Sequence, residues 1–119
     1  MNAKRLLTLA NVLDSVPDEQ FDINLFWEGK PHDCGFVGCA LGWATTIPEF
    51  AKAGFGRDEG LGYPIFGGQT SISAGASFFG LDYDDAYLMF MPVGYRELYR
   101  PATAKDVADK IRRFLKVRR

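Results

Sequence analysis

Residues 34–47, CGFVGCALGWATTI, constrain the fold more than any other stretch. Projected onto an α-helix at about 100° per residue, Phe36, Cys39, Ala40, Trp43, Ala44 and Ile47 collect on one apolar face. Gly35, Gly38 and Gly42 collect on a neighbouring stripe that carries no side chains. A glycine inside a helix costs roughly 1 kcal/mol relative to alanine. Three on one stripe therefore predict that another backbone passes very close. The segment reads as a central, tightly wrapped helix.

Helical signals also dominate elsewhere. Asn2 is placed to cap a first helix whose Leu6, Leu9, Ala10, Leu13 and Val16 recur at helical spacing, with Pro17 beyond its end. FDINLFW (21–27) alternates in part and suits a short extended segment, and EGKPHD (28–33) reads as a loop. The glycine-rich GFGRDEGLGYPIFGGQ (54–69) predicts a loop around a short strand or hairpin arm. TSISAGASFFG suits a helix that Gly80 closes in the left-handed conformation. Asp82 is then the N-cap of YDDAYLMF, with Leu81 and Ala86 spaced as a hydrophobic staple. GYRELY adds about one turn. Thr103 and Asp106 form a capping box for a basic C-terminal helix over 103–117, with Ala104, Val107, Ala108, Ile111, Phe114 and Leu115 as its apolar stripe. The expected fold is one compact, mainly α domain over residues 1–119, with about six short helices and at most a minor β-hairpin.

Composition supports a packed domain. Of 119 residues 47% are apolar, and ten are phenylalanine, so a modest core can be buried. No apolar run approaches the roughly 20 residues of a membrane span. The opening MNAKRLLTLANVLDSV sets basic residues before leucines as a signal peptide does, but Thr8, Asn11 and Asp14 interrupt it. With only two cysteines, a cytoplasmic setting is expected. The net charge of −1 conceals an asymmetry. Residues 110–119, KIRRFLKVRR, hold six of the fourteen basic side chains and no acid, which leaves eight basic against fifteen acidic residues before them. An acidic body is a poor surface for nucleic acid, whereas the basic tail suits an acidic partner or simply complements its own helix dipole.

The residues with chemical potential are few. HDC (32–34) holds the only histidine and one of the two cysteines. At the start of the predicted helix, free amides and the helix dipole would favour a Cys34 thiolate, with His32 as its only candidate base. CGFVGCALGWA is superficially like the CG-x-C-W-A stretch of papain-type proteases. The histidine of that family lies far downstream, and this chain has none after position 32. A zinc site from His32, Asp33, Cys34 and Cys39 lacks the second separated ligand pair that structural zinc usually requires. Cys39, on the core face, reads as a small buried hydrophobe. No metal and no cofactor is expected. Ala76 and Gly80 imitate a helix-turn-helix, but the would-be recognition helix opens with three aspartates, which phosphates repel.

As a whole the chain resembles a loose group of small proteins from bacteriophages and bacteria. The likeness rests on RLLTLANVLDSVP, FDINLFW, CGFVGCALGWA, IPEF and ASFFGLDYDDAYLMF, and covers roughly residues 3–115. Its most specific piece is Cys34-Gly35 followed by Cys39-Ala40 and Gly42-Trp43. Where the group often has threonine after Cys-Gly, this chain has Phe36. The resemblance implies a phage or mobile-element setting and no particular reaction. The leading expectation is thus a non-enzymatic interaction protein that binds and modulates a host protein. Tyr95, Arg96, Tyr99 and Arg100 in PVGYRELYRP, with Arg112, Arg113 and Lys116 in the tail, are the candidate contacts, since tyrosine and arginine are enriched at interface hot spots. The competing class is a thiol-dependent enzyme using Cys34 and His32. A third is a nucleic-acid binder acting through the basic helix. The oligomeric state stays open.

Overall fold

A computed structural model describes the backbone of residues 1–118 and the side chains through Val117. In chain order it contains α1 (Ala3–Leu13), a 3-10 turn (Asp18–Gln20), β1 (Trp27–Glu28), β2 (Val37–Gly38), α2 (Ala40–Ala44) and α3 (Pro48–Lys52). Next come β3 (Gly56–Asp58), β4 (Tyr63–Phe66), β5 (Gln69–Thr70), α4 (Ser71–Phe79) and α5 (Tyr83–Phe90), a second 3-10 segment (Pro92–Leu98) and α6 (Ala104–Arg118). Helices dominate, and the strands form two small antiparallel sheets, β1-β2 and β3-β4-β5. The expected fold class holds. A radius of gyration of 13.0 Å is that of one close-packed domain of this length.

Local chemistry sets several helix ends. Asn2 Oδ1 accepts from the Arg5 amide at 3.0 Å, and Asp82 Oδ1 from the Asp85 amide at 3.2 Å. Thr103 and Asp106 exchange bonds reciprocally: the Thr103 amide donates to Asp106 Oδ2 at 2.8 Å, and the Asp106 amide to Thr103 Oγ1 at 3.2 Å. Gly80 closes α4 with φ +67°, while the Leu81 amide reaches back to the Ala76 carbonyl at 2.9 Å. The glycine-rich stretch 54–69 supplies β3 and β4 and, with Thr70, β5; Ile65 pairs with Gly56 on one side and Thr70 on the other.

The central segment is where the structure overturns the sequence reading. Residues 34–47 are not one helix: α2 begins only at Ala40. Before it the chain is extended, and β2 pairs with β1, placing Trp27 opposite Gly38. The Gly38 carbonyl accepts from the Asp22 amide at 3.1 Å, and the Cys39 amide donates to the Leu25 carbonyl at 2.9 Å. Segment 21–28 thus satisfies the backbone groups that a helix would have paired internally, and Gly35 and Gly38 bring little helix propensity to oppose it. The burial expectation survives this change. Phe36, Cys39, Ala40, Ala44 and Ile47 are all buried: β2 ends at Gly38, and Cys39 already caps α2, so from Cys39 onward helical spacing places the buried residues. Trp43 is half-buried, edge-on to Phe36 with ring centroids 4.9 Å apart, and its Nε1 donates to the Gln20 carbonyl.

Close backbone approach is confirmed at two of the three glycines. A Cβ on Gly38 or Gly42 would run into the Phe26 carbonyl oxygen. Gly35 has open space around it, which corrects its place in the stripe. The core centres on an aromatic cluster in which Phe78 contacts Phe50, Phe55, Phe66 and Phe79, with centroid separations of 4.7–5.1 Å. The first and last helices pack together along one flank, burying Leu6, Leu9 and Leu13 of α1 with Val107, Ala108 and Ile111 of α6 in the same core.

Candidate partner-binding surface

The chemically suggestive residues occupy an exposed turn. The Asp33 amide donates to the Lys30 carbonyl and the Phe36 amide to the Asp33 carbonyl, while Gln20 Nε2 holds the Cys34 and Phe36 carbonyls from outside. His32 adopts a left-handed φ of +69°. His32, Asp33 and Cys34 are all solvent-exposed, and among the described residues no hydrogen bond joins His32 to Cys34. Because α2 starts six residues after Cys34, no helix N-terminus lies beside the thiol to favour the thiolate. That part of the case for a nucleophile is corrected. Cys39 is buried, and burial pushes its thiol up to about 11. Among the described residues no group of three or more His, Cys, Asp or Glu is placed to hold a metal ion.

The candidate contacts in 92–101 divide. Tyr95 is only 4% exposed: its hydroxyl donates to the Met89 carbonyl at 2.7 Å, and Lys110 Nζ lies 4.5 Å from the ring centroid. It is a core residue and presents no side chain to a partner, a correction to the sequence reading. Burial raises its hydroxyl pKa. Arg96 is exposed, and Tyr99, at φ +54°, is 94% exposed. Arg100 grips Asp106 through both terminal nitrogens, at 2.7 and 3.2 Å, and so belongs to the capping of α6.

The tail residues line two grooves, one on each side of α6. The first, about 740 Å³, runs between α1 and α6. Ala3, Leu7 and Leu115 supply its apolar surface, and Lys4, Arg112 and Lys116 supply cations, with no acid among these six. Arg112 is held in place by Asp14 and Asn11. The second groove, about 440 Å³, lies between α5 and α6, with Asp85, Leu88 and Met89 on one wall and Lys110, Arg113, Phe114 and Val117 on the other. Lys110 Nζ donates to the Leu88 and Gly94 carbonyls at 2.9 and 2.6 Å, and desolvation lowers its pKa. The structure thus brings Arg112 and Lys116 to one groove and Arg113 to the other. Of the six basic residues in 110–119, Arg118 and Arg119 lie outside the described side chains.

Sequence reasoning missed Lys4, Leu7 and Leu88, which complete these walls. A signal existed for the leucines. Leu7 falls off the apolar stripe of α1 and is 44% exposed; Leu88 falls off that of α5 and is 47% exposed. Among the described residues no helix is long and apolar enough to cross a membrane. No family model, no curated protein and no solved structure matches the chain.

Proposed function

We propose that this chain is a non-enzymatic interaction protein, encoded by a phage or another mobile element, that binds and modulates a host protein in the cytoplasm. The α1–α6 groove is its binding surface, and the partner offers an acidic segment with apolar side chains. One observation carries this reading: an apolar floor from Ala3, Leu7 and Leu115 edged by Lys4 and Lys116, with Arg112, paired to Asp14, between them. Such a groove fits an amphipathic helix laid along it, with apolar anchors inward and carboxylates toward the rim. Cations at the rim steer an acidic partner and make association salt-dependent. The mobile-element setting rests on the resemblance of the sequence to small phage and bacterial proteins.

The test compares two variants in capture from host lysate, with the retained protein identified by mass spectrometry. Lys4→Glu with Lys116→Glu should lose a partner that wild type holds at low salt and releases at high salt. Cys34→Ser should retain both partner and biological effect. If the groove variant keeps its effect while a folded Cys34→Ser protein loses it, the interaction reading gives way to a thiol enzyme.

A further inference from the structure

We infer that the α5–α6 groove is the contact face of a symmetric homodimer. Lys110 bonds the Leu88 carbonyl, and from there the groove runs on between Asp85 on the α5 wall and Arg113 and Val117 on the α6 wall. Asp84, exposed, stands one helical turn before Leu88 on the same face of α5. Lys110 is already engaged by two carbonyls, so among the described side chains Arg113 is the cation this wall presents outward. The walls therefore carry opposite charge, with apolar side chains between them: Leu88 is 47% exposed and Val117 80%.

The arrangement is complementary to itself. A two-fold axis laid along the groove sets the α5 wall of one copy over the α6 wall of the other. Asp84 then faces Arg113 of the second copy twice, with the apolar side chains of the two grooves packed alongside. An isologous interface requires this reciprocity. Other occupants fit less well: a polyanion meets Asp84, and a polycation meets Arg113. The surface is distinct from the α1–α6 groove with its Lys4 and Lys116 rim, so the two readings stand or fall separately.

Sedimentation equilibrium on wild type, Asp84→Lys, Arg113→Glu and an equimolar mixture of the two variants tests this. Wild type should dimerise, and each variant alone should associate at least about tenfold more weakly, because each places two like-charged pairs in the interface. The mixture should recover wild-type affinity, since both pairs of the heterodimer are again opposite in sign. Lys4→Glu, in the other groove, should sediment as wild type. Amide hydrogen exchange of wild type at low and high concentration needs no variant, and should show concentration-dependent protection confined to residues 83–90 and 110–117. A monomer at every concentration overturns the proposal. So does a dimer indifferent to both substitutions, a mixture that fails to recover, or protection elsewhere on the chain.

Discussion

Arg112 and Asp14, 98 residues apart in sequence, meet as a two-point ion pair, Nη1 to Oδ1 at 3.0 Å and Nη2 to Oδ2 at 2.6 Å. The pair ties the end of α1 to α6. Its hydrogen bonds hold the Asp14 carboxyl below the usual range, yet the side chains are 36% and 44% exposed. Solvent screening therefore limits its value to about 0.2–1 kcal/mol. Asp106 is less exposed. The bond from Arg100, then those from the Thr103 amide and hydroxyl, outweigh desolvation and lower it to about 2. Both carboxylates have depressed pKa values when folded. Their stabilisation is thus present above the ordinary value of 3.8 and is lost as pH falls through the folded one. In urea unfolding, Asp106→Asn should be less stable than wild type at neutral pH, with the gap closing between about pH 4 and about pH 2. Asp14→Asn should show a smaller gap that salt reduces. A pH-independent gap at Asp106 would contradict the capping geometry.

The glycines of the central segment offer a sharper contrast. Gly38→Ala and Gly42→Ala each force a methyl group against the Phe26 carbonyl, and should destabilise by about 1–3 kcal/mol or more. Gly35→Ala has nothing within 4 Å to strike and should stay within about 0.5 kcal/mol of wild type. Urea midpoints for the three variants decide it. Equal effects at all three positions would restore the continuous glycine stripe.

The two thiols should separate in labelling. In the native protein iodoacetamide should modify Cys34, which is exposed on its turn, and spare Cys39, which is 3% exposed. The thiolate of Cys39 is further suppressed by burial, with its pKa near 11. Mass spectrometry before and after unfolding reads the difference. Rapid native modification of Cys39 would mean that β2 and the start of α2 open readily.

Features legible in the sequence are those written within a few consecutive residues. The Asn2 and Asp82 caps, the left-handed Gly80 and the Thr103–Asp106 box each depend on side chains within about one helical turn. The β1–β2 pairing was not legible, because Gly38 and Cys39 bond to Asp22 and Leu25, whose own pattern only hinted at extension. Helical spacing grouped Phe36 with Cys39, but the chain changes from strand to helix between them, at a boundary that no local cap or turn residue marks. Tyr95 misled because its residue type suits an interface as well as a core, and its decisive partner, the Met89 carbonyl, leaves no trace in sequence. Arg112, Arg113 and Lys116 were visible as a basic run. Their division between two grooves depends on which neighbouring helix flanks each face of α6.

The packing of α1 against α6 also orders events during synthesis. A ribosome, adding about 5–20 residues per second, releases α1 well before α6, the helix that covers it. Until α6 emerges, Leu6, Leu9 and Leu13 lack the neighbours that bury them, and Lys110 is absent from the carbonyls of Leu88 and Gly94. A nascent chain arrested before residue 104 should therefore remain sensitive to protease along its whole length, and should become resistant in one step when α6 clears the exit tunnel.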